Sequence, residues 1–146
     1  MTLNDEIRLQ ITKLPDAPEI IDNWEPIADS LSGMFNWVGS KIDWKKTTKH
    51  MHQELGEDKK CWPSLVKKFS CKYLRDFIYN SKKIHYINDS SLDFALAISV
   101  DKIDTMFDLL IEHVPQHHYF FNLDTKWCFV ISSEGYLDFG FSNLIH

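Results

Sequence analysis

Residues 119–141, YFFNLDTKWCFVISSEGYLDFGF, are the most apolar part of this chain, and their reading decides the fold. Tyr119, Phe121 and Leu123 fall on one face of an extended segment and Phe120 on the other. Trp127 to Ile131 is apolar on both faces, which predicts a central strand covered on both sides. Asp124 and Thr125 favour a turn in the first connection, Asn122 to Lys126. Gly135 can take positive φ in the second, Ser132 to Gly135. Leu137, Phe139 and Phe141 then alternate with Tyr136, Asp138 and Gly140. Two short connections between apolar runs imply an antiparallel meander.

Outward from this meander, a chain of 146 residues fits one domain, 1–146, long enough to bury a core. Phe94, Leu96, Ile98 and Val100 alternate with Ala95, Ala97 and Ser99, a strand whose small face would admit a close helix. That helix is expected at Lys102 to His113, with Asp101 as N-cap and Ile103, Met106, Phe107, Leu110 and Val114 as its buried stripe. Ile84 to Ile87 reads as a short strand before a turn at Asn88-Asp89-Ser90-Ser91. Val66, Phe69, Tyr73 and Phe77 predict a helix from Trp62–Pro63, with Lys68, Lys72 and Arg75 opposite. A helix capped by Ser40 would place Trp44, Thr48, Met51 and Leu55 on one face. Another, starting near Asp22 or Asn23, would bury Trp24, Ile27, Leu31 and Phe35. Ile7, Leu9 and Ile11 suit an edge strand, and a short helix from Leu3 fits nearly as well. The whole reads as α+β: a largely antiparallel sheet with a C-terminal strand meander and about four helices packed on one of its faces.

The net charge of −5 conceals three blocks. Residues 1–40 hold seven acids and two bases, residues 41–83 five acids and twelve bases, and residues 84–146 nine acids and two bases. Such blocks either neutralise one another across the fold or face a partner. Asp104, Asp108 and Glu112 recur at i, i+4, i+8 with no later lysine on the same helix. With Asp101 they form a candidate surface for a basic partner, to which Asp22, Glu25 and Asp29 could add. The basic block, with Trp44, Trp62 and Tyr73 interleaved, is the alternative: an RNA-binding or regulatory surface. It is the weaker one, because Tyr73 lies on the predicted buried stripe.

Catalytic and metal chemistry find little footing. His50 and His52, two apart on a predicted helix, would diverge, and adjacent His117 and His118 cannot share a site. Ser132 and Ser133 lack a G-x-S-x-G elbow, and Cys128 sits where a thiol stays protonated. Glu134 and Asp138 flank a hairpin tip. The expectation is therefore no enzyme, no metal and no cofactor, with a small hydrolase as the remote third reading. Three widely spaced cysteines, no secretory signal at the N-terminus and no membrane-length apolar run suggest a cytoplasmic protein.

The pattern HHYFFNLDTKWCFVISSEGYLDFG, residues 117–140, resembles the C-terminal strands of immunity proteins of bacterial polymorphic toxin systems, including contact-dependent growth inhibition. Tyr119, Trp127, Cys128, Ser133, Glu134, Gly135, Phe139 and Gly140 carry the resemblance. It implies a small, acidic cytosolic protein that binds a cognate toxin domain, here expected to be a nuclease, and blocks it without catalysis. Nucleases bind phosphates and tend to be basic, so an acidic surface would suit one.

Overall fold

The structure, a computed structural model, describes residues 2–89 and 91–144. Ser90, part of the expected turn, lies outside the described residues.

Helix α1, Leu3–Thr12, settles the first ambiguity. Thr2 accepts from the Asp5 N–H at 3.1 Å and the Asp5 carboxylate accepts from the Thr2 N–H at 3.4 Å, a reciprocal cap. Ile7 and Ile11, four apart, are fully buried, while Leu9 is exposed. The edge strand lies later, at β1, Glu19–Ile21. Helix α2, Glu25–Met34, starts after Trp24, with neither Asp22 nor Asn23 as its cap and Pro26 in the first turn.

The helix expected from Ser40 does not form. Its place is taken by β2, Trp37–Val38, a turn through Gly39 at φ +62°, β3, Lys41–Ile42, and the long edge strand β4, Thr48–Glu54. Residues 51 and 55 satisfy a period of four and a period of two alike. Thr47 and Thr48 are β-branched, and the open edge of the C-terminal hairpin supplies a hydrogen-bonding partner that no local propensity could report.

Helix α3, Trp62–Phe69, continues through a π-helical turn at Ser70–Leu74 into α4, Arg75–Tyr79. The wider turn rotates the buried face. Val66 and Phe69 stay inside, Leu74 and Ile78 join them, and Tyr73 swings out to 47% exposure, against the expected stripe. Strands β5, Ile84–Asn88, and β6, Ala95–Ile98, precede helix α5, Ile103–His113. The meander follows as β7, His118–Asn122, β8, Trp127–Ile131, and β9, Tyr136–Phe141.

Seven strands form one antiparallel sheet in the order β1-β6-β5-β7-β8-β9-β4. The fold is α+β, and β8 has neighbours on both sides, as its apolar faces required. The main core lies between one face of the sheet and α1, α3, α4 and α5. Leu96 and Ile98, the large residues of β6, share this core with Met106, Phe107 and Leu110. Helix α5 therefore sits on the large-residue face rather than on the alanine face, because interlocking large side chains bury more apolar area. Helix α2 and the β2–β3 hairpin lie on the opposite face, where Leu31, Met34, Phe35 and Ile42 meet Tyr119, Phe121, Cys128 and Val130. Helices thus occupy both faces, not one.

Candidate functional site

The acidic residues do not form one surface. Asp104, Asp108 and Glu112 ride on α5, on one side of the sheet. Glu25 and Asp29 ride on α2, on the other. Asp22 precedes α2 and is bound 2.7 Å from the Arg8 guanidinium.

The α5 row meets the basic block directly. Lys67 Nζ lies 2.8 Å from Asp108 Oδ1 and 3.0 Å from its Oδ2. Lys59 and Lys60 line a groove with Asp108 and Glu112, and Arg75 lines another with Asp104. Asp101 is not the cap of α5, which follows a short 3₁₀ turn and starts after Lys102. It accepts instead from Ser99 Oγ at 2.7 Å. Among the described residues, Glu25, Asp29 and Asp104 have no cationic partner.

The basic residues scatter over the molecule. Lys41 is held by Glu134 at 2.7 Å, and Lys49 lies over Phe77 and Phe141. That contact with Lys41 holds the Glu134 carboxyl below its usual range. One local cluster has a different character. Lys72 lies 5.1 Å from the ring of the exposed Tyr73, and Arg75 5.8 Å from that of the exposed Tyr79.

The second face of the sheet carries a pocket that the sequence did not suggest. Ile42, Trp44, Tyr119, Val130 and Tyr136 wall it, and Lys41, His117, Ser132 and Asp138 bring polar groups. Its volume, about 140 Å³, falls below the roughly 300–1,000 Å³ of small-molecule sites and suits one protein side chain. His117 accepts from the Ser133 N–H at 3.0 Å at its rim. His118 points the other way, into the core, bonded to Tyr86 Oη at 2.8 Å, so the two adjacent histidines serve different faces.

Beside this pocket lies a cluster of His50, His52 and Asp138. The two imidazoles were expected to diverge on a helix. On β4 they are two apart on a strand and therefore share a face. Asp138, opposite His52 on β9, completes the group: Oδ1 lies 2.8 Å from both His50 Nε2 and His52 Nδ1. The H-x-H spacing would have pointed here had β4 been read as a strand.

The nucleophile candidates stay dispersed. Cys128 is fully buried, and burial pushes its thiol well above the ordinary value. Cys61 and Cys71 are exposed, and Asp58, accepting from Cys61 Sγ, raises that thiol too. No helix is long and apolar enough to cross a membrane among the described residues. The comparisons find no matching family model, no matching curated protein and no matching solved structure.

Proposed function

We propose that this chain is an immunity protein that acts by binding, neutralising a basic toxin domain, a nuclease, in the cytoplasm where that toxin works. The observation that carries this reading is the charge left over once the fold has made its internal pairs. Asp22, Asp108 and Glu134 are engaged by Arg8, Lys67 and Lys41. Asp104 on α5, and Glu25 and Asp29 on α2, keep no cationic partner among the described residues. Exposed acids of this kind raise association rates with a basic partner and select against acidic ones. The resemblance of residues 117–140 to immunity proteins points the same way. Because the sheet separates the two acidic groups, a partner engages one of them. The α5 end, with Asp101, Asp104 and Glu112, is the choice favoured here.

The test begins with the partner recovered from the native host and purified. The chain should abolish its toxic activity at one-to-one stoichiometry. Asp104→Lys should slow association about tenfold at low salt, an effect that shrinks as salt rises, with the fold intact. Asp104 is the position to reverse, since Asp108 would also lose its Lys67 pair. A partner that stays fully active in the complex removes the immunity reading. An unchanged association rate removes α5 from the interface.

A second reading has a specific observation in its favour. Tyr73 and Tyr79, exposed beside Lys72 and Arg75, are the combination that stacks bases and neutralises phosphates. Retention of single-stranded RNA with a steep salt dependence, lost in the Tyr73→Ala and Tyr79→Ala double variant, would establish it.

A further inference from the structure

We propose that His50, His52 and Asp138 form a binding site for a divalent transition-metal ion, and that zinc is the ion it takes. The site is independent of the toxin-binding reading and lies on different elements from α5.

The geometry starts from the backbone. Residues two apart on a strand point the same way, so β4 delivers two imidazoles to one side. Antiparallel pairing sets Asp138 directly opposite His52. One ligand atom from each of His50, His52 and Asp138 lies within 4.8 Å of the other two. Zinc–nitrogen and zinc–oxygen bonds of about 2.0–2.2 Å at near-tetrahedral angles place neighbouring ligand atoms about 3.4 Å apart. The present nitrogen-to-oxygen distances of 2.8 Å would open by about half an ångström, within reach of small side-chain rotations.

The rings are held from outside. Trp44 stacks on His50 with centroids 5.2 Å apart and planes 9° apart, and Tyr136 lies 5.5 Å from His52. Gly140 makes room for this backing, since a Cβ there would sit 3.2 Å from Trp44 Cζ3. Such fixed orientation is what a metal site needs from its surroundings. The nearby cations are engaged elsewhere: Lys41 by Glu134, and Lys49 over Phe77 and Phe141. Two imidazoles and one carboxylate favour zinc and its first-row neighbours over calcium or magnesium, which prefer all-oxygen sites. His50 and His52 remain one-third to one-half exposed, so the ion would keep at least one coordination position open to solvent or to a partner's side chain.

The competing use of the same geometry needs no metal. The Asp138 oxygen would accept a ring N–H from each histidine and tie the edge strand β4 to β9. Metal uptake separates the two. The experiment titrates zinc, then cobalt, into tag-free chain whose exposed thiols, Cys61 and Cys71, have been alkylated. Calorimetry should report one equivalent of zinc at neutral pH. His50→Gln, His52→Gln and Asp138→Asn should each weaken it by more than about tenfold while the near-ultraviolet circular dichroism is retained. Cobalt should give visible ligand-field bands without thiolate charge transfer, a readout that stands even where a variant fails to fold. Absence of zinc uptake by the wild-type chain overturns the proposal. So does uptake that persists undiminished in the folded variants, or a thiolate band with cobalt.

Discussion

The two faces of the sheet are built to different standards. On the helix side, Phe120, Phe129, Phe139 and Trp127 are almost wholly buried, and rings from α3 and α5 close over them. Phe129 sits between Phe69 of α3 and Phe107 of α5, with centroids 5.9 and 5.8 Å away. On the other side, among the described residues, α2, the β2–β3 hairpin and the short turn carrying Trp44 cover part of the surface. The rest is left to a pocket and to the group of His50, His52 and Asp138 beside it. His50, His52 and Asp138 collect where coverage stops, because water there can meet hydrogen-bonding needs, whereas His85, more enclosed on the same face, has a buried Nδ1 without a hydrogen-bond partner among the described residues.

The sharpest way to break this contrast is to delete the same kind of contact on each side. Phe129→Ala should destabilise the domain by about 3–5 kcal/mol. Val130→Ala, its neighbour on the other face, removes fewer atoms from a smaller cluster and should cost less than half as much. Urea unfolding of both variants measures the difference, and equal losses would mean that the second cluster is as structural as the first.

The next effect in size concerns a titratable group that the helix face does enclose. His118 is 3% exposed, and burial, helped by the neighbouring His117, lowers its imidazole from 6.5 to about 4. The unfolded chain therefore takes up a proton that the folded chain refuses. Stability is full above pH 6.5 and is lost as the pH falls towards 4. The loss reaches about 3 kcal/mol when complete, a slope that His118→Gln should flatten. His85, on the second face, is lowered in the same direction by burial and by Lys83, and leaves a residual slope in that variant. Stability curves at a series of pH values read both contributions.

The smallest effect tests the second face. A Cβ on Gly140 would stand 2.9 Å from Thr47 Oγ1 and 3.2 Å from the Trp44 ring. Gly140→Ala should cost about 1–3 kcal/mol and displace Trp44 from His50. Tryptophan fluorescence together with the zinc titration reports whether the histidines depend on that backing.

Much of the fold was legible because its pattern repeats. The meander was visible in alternating apolar runs and a glycine at the second turn. Helix α5 was visible in its stripe, and α3 as far as Phe69. The failures share a cause. Residues 40–55 carry a pattern that fits both periods, and only the free edge of β9 decides between them. The π-helical turn at Ser70–Leu74 shifts the buried face without leaving a mark on the apolar spacing. The histidine cluster was lost with β4, since a wrong element type points side chains in wrong directions. The acidic row on α5 was legible, whereas Lys67 of α3, which meets it, was not, because packing brings it there.

The sequence by itself determined the class of fold, the central position of Trp127 to Ile131 and the segregation of charge into blocks. These depend on periodicity and composition, which are local properties. Tertiary structure alone decided which blocks neutralise each other, which face α2 covers, and that His50, His52 and Asp138 meet. Each of these is a contact between residues 41 to 93 positions apart or a choice of sheet face. Such choices follow from the total apolar area buried and from which strand edges remain open, quantities that no single stretch of chain contains.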